Sequence, residues 1–97
     1  MPWLIVLRPV RAEMPLAPTD EESAIVAEHA AFLVQEHEAG RVLLAGPSVV
    51  EGDTIGLTVV AVDDEAEARQ LMAADPAVRG GVMTAELRPL RLLVPRR

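Results

Sequence analysis

Residues 55–62 read IGLTVVAV, an apolar run in which Thr58 carries the only polar side chain. The run is short and rich in β-branched residues, which favours a strand over a buried helix. A strand with one wet face alternates apolar and polar side chains; this one offers hydrocarbon to both sides. Immediately before it, the segment SVVEGDT (48–54) has turn composition, and Arg41 to Ala45, RVLLA, forms an earlier short strand closed by Gly46-Pro47. The spacing suits a hairpin. Beyond the run, Asp63 or Asp64 caps a helix whose apolar face carries Ala68, Leu71 and Met72 and which ends near Ala74.

The flanks complete the order. Trp3 to Leu7, WLIVL, is a first strand that stops at Arg8-Pro9, because proline removes a ladder donor. Val10 to Pro18 is a loop of unusual length, placed as a lid would be. Thr19 then opens TDEE, the capping-box pattern, so a long helix runs from Asp20 to Ala39 and Gly40 stops it. Asp75-Pro76 begins a short turn that Gly80-Gly81 closes, and Val82 to Leu93 is a fourth strand, broken at Pro89. The order β-α-β-β-α-β predicts an α+β, ferredoxin-like fold: a four-stranded antiparallel sheet with two helices on one face. Two helices leave the other face bare. WLIVL, VLLA and LTVVAV are apolar on both sides, so the expectation is a homodimer in which the open sheet faces pack together.

Composition narrows the function. The 97 residues suit one domain, which at this size buries only about 60–65% of its unfolded surface, so a partner copy adds needed burial. Fifteen acidic residues oppose nine basic ones, all arginine, for a net charge of −6, and Trp3 and Phe32 are the only aromatics. Nucleic acid, which needs cationic patches and stacking rings, is not an expected partner. No cysteine is present, which removes thiolate chemistry and cysteine metal sites, and no run approaches the roughly 20 apolar residues of a membrane span. A cytoplasmic protein without membrane association is expected.

The chemistry centres on EHAAFLVQEHEAG (28–40). On a helical wheel Ile25, Val26, Phe32 and Leu33 fall within about 60° of His29, so an ionisable ring stands in the middle of the apolar stripe. Glu22 and Glu36 share that stripe one heptad to either side. His29 with a carboxylate to orient it is the minimum equipment for general acid or base work, and Asp75, at the chain break after the second helix, is the candidate. Asp-Pro is also a standard helix opening. A carboxylate has acceptor sites to spare, so capping with one oxygen leaves the other for an imidazole. His37 lies about 80° from His29 and is read as a solvated edge residue. Eight residues apart, the two imidazoles lack the i, i+4 spacing of zinc helices, so no metal is expected. No glycine stands in a phosphate-loop context.

The strand WLIVLRP, the motif EHxxFL, the AGP at Ala45 to Pro47, the helix DDEAEARQLM and the DPxVxxG run at Asp75 to Gly81 together resemble the YCII-related domain over nearly the whole chain. The resemblance implies the dimeric α+β barrel and carries an active-site dyad to His29 and Asp75. It makes Phe32, Gly46 and Pro47 candidate substrate-binding residues; Arg8 is a further candidate, for an anionic group. Two departures border the implied pocket: the long 10–18 loop, and Ala77 where an aromatic residue often follows the Asp-Pro. The implied function is cofactor-independent proton transfer, of lyase or isomerase type, on a small and often aromatic organic molecule. The alternative is a non-catalytic ligand-binding or accessory domain using the same pocket. A purely structural dimerisation module explains the sheet but not His29.

Overall fold

The computed structural model describes residues 2–94 and gives the order β1 (Pro2–Pro9), α1 (Asp20–Glu38), β2 (Val42–Ser48), β3 (Ile55–Ala61), α2 (Glu65–Ala74), α3 (Pro76–Arg79) and β4 (Met83–Pro89). All strand pairs are antiparallel and the sheet order is β2-β3-β1-β4. The two central strands are therefore the ones with the longest apolar runs. The α+β, ferredoxin-like architecture read from the sequence is the one observed.

Register sorts the side chains into rows across the sheet. Val42, Val60, Trp3 and Pro89 form one row, and Ala45, Thr58, Ile5 and Leu87 another. These rows face the helices. Trp3, Ile5, Leu7, Val42 and Val60 join Val62, Ala68 and Leu71 in the core, with Val60 fully buried. Gly56 sits against Leu7, whose Cβ lies 3.3 Å from where a glycine Cβ would be built, so the missing side chain makes room for the leucine. The alternate rows, Leu44-Val59-Leu4-Arg88 and Gly46-Leu57-Val6-Glu86, lie on the opposite face by the two-residue period of a strand. That face is apolar along β2 and β3 and at Leu4 and Val6 of β1, and charged at Arg8 and along β4.

Several boundaries differ from expectation. β2 does not end at Gly46-Pro47 but continues to Ser48, because an edge strand tolerates a proline on its unpaired side. β4 ends at Pro89 rather than Leu93, and one further bond, Leu90 N–H to the Pro2 carbonyl at 3.2 Å, extends the pairing. The turn after Asp75 is a single-turn helix, α3. No helix among the described residues is long and apolar enough to cross a membrane.

α1 positions the site. The capping box forms as its sequence demands: the Glu22 N–H donates to Thr19 Oγ1 at 3.1 Å and the Thr19 N–H to Glu22 Oε1 at 2.9 Å. Yet no residue of this 19-residue helix is fully buried. It packs against α3 and the edge strand β2 and sets Phe32 and Leu33 on the core, while part of its apolar side borders open space.

Candidate functional site

That open space is a cleft of about 960 Å³ between α1, the β2–β3 end of the sheet and the 10–18 loop. The volume suits a small organic ligand. Its wall is mainly hydrocarbon, and among the described residues it contains no aspartate, glutamate, arginine or lysine; Ser23, His29, His37, Thr54 and Thr58 supply the side-chain polarity. Met14, only 3% exposed, closes the cleft from the loop with Pro15 and Pro18.

His29 stands between this cleft and Asp75. Its Nδ1 lies 2.7 Å from Asp75 Oδ1 and 2.9 Å from Oδ2, with side-chain exposures of 13% and 6%. A carboxylate can only accept, so Nδ1–H donates. In the neutral ring this leaves Nε2 as the bare, basic nitrogen. Asp75 is itself fixed by the backbone, because Oδ1 accepts from the Ala77 N–H at 2.9 Å as the cap of α3. The cap and the imidazole share one carboxylate. The approach of α1 to α3 depends on Gly80: an added Cβ would lie 2.9 Å from the Pro76 carbonyl oxygen and 3.1 Å from Ile25. Gly81, at φ +74°, takes the left-handed conformation that ends the turn.

The stripe's two glutamates are committed elsewhere. Glu22 binds Arg11 through both oxygens, at 2.6 and 3.0 Å, and Arg11 also donates to the Ala17 carbonyl at 2.8 Å. The Arg11 hydrogen bonds, followed by that from the Thr19 backbone, hold the Glu22 carboxyl down at about 2. Glu36 pairs with Arg41 at the start of the β2 edge, at 2.5 Å. One ion pair fastens the loop to the helix N-terminus; the other fastens the helix C-terminus to the chain entering the sheet.

Gly46 and Pro47 line the cleft on its β2 wall. Phe32 packs instead against the core, beside Asp75 and away from the cleft. The structure does not bring Arg8 to the cleft: strand alternation turns it to the other sheet face, where it pairs with Glu86 at 3.2 Å. His37 is exposed, as its place at the edge of the stripe predicts. It lines the cleft, and its Nδ1 donates to the Val42 carbonyl at 2.8 Å. The wheel angle put it at the stripe's edge, and only the placement of β2 beneath the helix end turns that edge into a wall. Thr58, buried at 3% exposure, borders the cleft floor, a position hidden within an apolar run. Among the described residues no group of three or more His, Cys, Asp or Glu side chains converges as a metal site.

The sequence matches the YCII-related domain over residues 1–91. The chain belongs to that family. No protein of curated function matches the sequence. Among solved structures, 5-chloro-2-hydroxyhydroquinone dehydrochlorinase TftG from Burkholderia phenoliruptrix AC1100, in complex with 2,5-dihydroxybenzoquinone, superposes with a TM-score of 0.71 at 15% identity, covering 94% of each chain. SnoaB, a cofactor-independent oxygenase from Streptomyces nogalater, superposes at 0.51 with 16% identity, covering 98% of this chain and 96% of that one. A single-residue variant of SnoaB gives 0.55 at 20% identity, over 98% and 97%. At these identities the likeness is one of fold.

Proposed function

We propose that this protein is a homodimeric enzyme that transfers a proton on a small organic molecule, as a lyase or isomerase. His29 acts as acid and base, and Asp75 holds its tautomer. The observation that carries the reading is the 2.7 Å contact between His29 Nδ1 and a backbone-anchored carboxylate, beside an apolar cleft that no other charged side chain among the described residues lines. In an elimination, Nε2 takes a proton from the substrate, the freed electron pair forms the new double bond, and the leaving group departs with its own electrons. In an isomerisation the ring, after exchange with solvent, returns a proton at another atom. The imidazolium formed in between is stabilised by Asp75. Neither step needs a cofactor. The fold neighbours support the small-molecule part of the reading, since one is a dehydrochlorinase bound to a dihydroxylated quinone and the other a cofactor-independent oxygenase.

The test incubates the protein in D₂O with a panel of hydroxylated arenes and quinones that includes 5-chloro-2-hydroxyhydroquinone. Deuterium incorporation is followed by NMR and halide release by ion electrode. Wild type is expected to turn over at least one member, and His29→Ala to lose about a hundredfold or more. Binding that survives in His29→Ala, with no turnover by wild type on any member, identifies a ligand-binding module instead.

A further inference from the structure

We infer that Thr58 is a ligand-binding residue of the cleft, its hydroxyl meeting an oxygen of the molecule presented to His29. This rests on the reading of the cleft as a small-molecule site and names a polar group that the ligand carries within its apolar body. Thr58 is only 3% exposed and stands on β3 in a row with Ala45, Ile5 and Leu87, all apolar. No group among the described residues hydrogen-bonds its Oγ1. Asp75, which borders the same small chamber behind the strand, spends its oxygens on His29 Nδ1 and the Ala77 N–H. Valine would fill the place with nearly the same branched shape and no polar atom to strand, as Val60 does two positions on.

A buried hydroxyl without a partner is costly unless something outside the chain supplies one. This one is not sealed: among the described residues Trp3 Nε1 is the buried side-chain polar atom shut away without a partner, and Thr58 Oγ1 is not. Thr58 borders two spaces. The chamber beside Asp75 measures about 10 Å³, room for one water, whereas the cleft, at about 960 Å³, admits an organic molecule. A hydroxyl both donates and accepts, so Thr58 can take a ligand hydroxyl or carbonyl oxygen, while the bare Nε2 of neutral His29 only accepts. The molecule so described has a proton to give at His29 and a second oxygen against β3.

The probes are phenol, with one hydroxyl, and the benzenediols catechol, resorcinol and hydroquinone. Dissociation constants are read from NMR titrations of wild type, of Thr58→Val, which keeps the branched shape without the hydroxyl, and of Thr58→Ser, which keeps the hydroxyl without the methyl. In wild type at least one diol is expected to bind about tenfold more tightly than phenol, one further neutral hydrogen bond's worth. That advantage should vanish in Thr58→Val and persist in Thr58→Ser, the reverse of the pattern a packing role gives. Because the fold supplies the hydroxyl with no partner, Thr58→Val should also melt no lower than wild type. A diol advantage kept in Thr58→Val, the lack of one in wild type, or a Thr58→Val protein that melts well below wild type overturns the role of Thr58. In each of those cases the His29 site stands as long as the probes shift the His29 Nε2 resonance. A panel that leaves His29 unshifted overturns both the role of Thr58 and the small-molecule cleft.

Discussion

At the scale of single residues, Asp75 carries two requirements that meet in one side chain. The same Oδ1 caps α3 through the Ala77 N–H and accepts from His29 Nδ1. Sequence makes this pairing readable, because Asp-Pro after a helix marks a cap and a carboxylate has acceptor sites beyond the one a cap uses. What sequence could not give is the distance between two residues 46 apart, which depends on α1 and α3 closing over Gly80. Asp75→Asn keeps the cap and removes the charge. Asparagine caps a helix as well as aspartate does, so the fold is expected to persist. Its single oxygen can still accept from both N–H groups, as Oδ1 does in the wild type, but the imidazolium formed during turnover loses the negative charge that stabilises it. The expected result is unchanged far-UV dichroism with about a hundredfold loss of any turnover. Turnover that survives Asp75→Asn undiminished would show that the carboxylate does no more than cap α3.

Among the elements, the 10–18 loop shows where sequence reading ran short. Its length marks it as an addition over the cleft, but nothing in its composition reveals that Met14 turns inward or that Arg11 reaches Glu22. Local pattern carries capping boxes, glycine stops and strand runs, because neighbours in the chain enforce them. It does not carry partners chosen by tertiary placement. The same limit explains His37, whose wheel angle was readable and whose wall of the cleft was not, and Arg8, whose charge suggested a ligand until strand alternation sent it to Glu86. The loop's ion pair makes a pH prediction. Glu22 is held at about 2, below the ordinary carboxyl value of 4.5, chiefly by the Arg11 hydrogen bonds. Because the folded state lowers this pKa, the stabilisation is fully present above about 4.5 and is lost as pH falls toward 2. Glu22→Gln, which lacks the charge at every pH, should be less stable than wild type at neutral pH. Its urea midpoint should converge on the wild-type value between pH 4.5 and 2.5. Hydrogen exchange at residues 11–17 should be faster in the variant at pH 7 and similar in the two proteins at the acid end. A stability difference that stays constant across this range would mean that the Arg11–Glu22 pair does not fasten the loop.

For the whole molecule, the issue is the sheet face that no helix covers. Across one row Leu44, Val59 and Leu4 stand side by side, with Leu44 61% exposed, and Val6 and Leu57 follow in the next. β4 breaks the pattern: Glu86 lies on this face and pairs with Arg8 and Arg88, so the apolar strip is bounded on one side by charge. An apolar centre beside a charged margin fits the face-to-face homodimer, since identical faces are self-complementary and an ion cluster at the rim stays hydrated. Val59 and Val60 are consecutive and point to opposite faces, which lets two single substitutions interrogate the two sides of one strand. Val60 is fully buried under the helices, and a guanidinium there has no partner to receive it. Burying it unpaired is expected to exceed a total stability of about 5–15 kcal/mol, so Val60→Arg should be unfolded by circular dichroism. Val59→Arg places the same charge on the bare face, where a monomer can hydrate it but a second sheet cannot accept it. Light scattering at micromolar concentration should give wild type at about twice the chain mass and Val59→Arg as a folded monomer. A wild-type protein that scatters as a monomer would remove the dimer, and a Val59→Arg variant that remains dimeric would move the contact to a different surface.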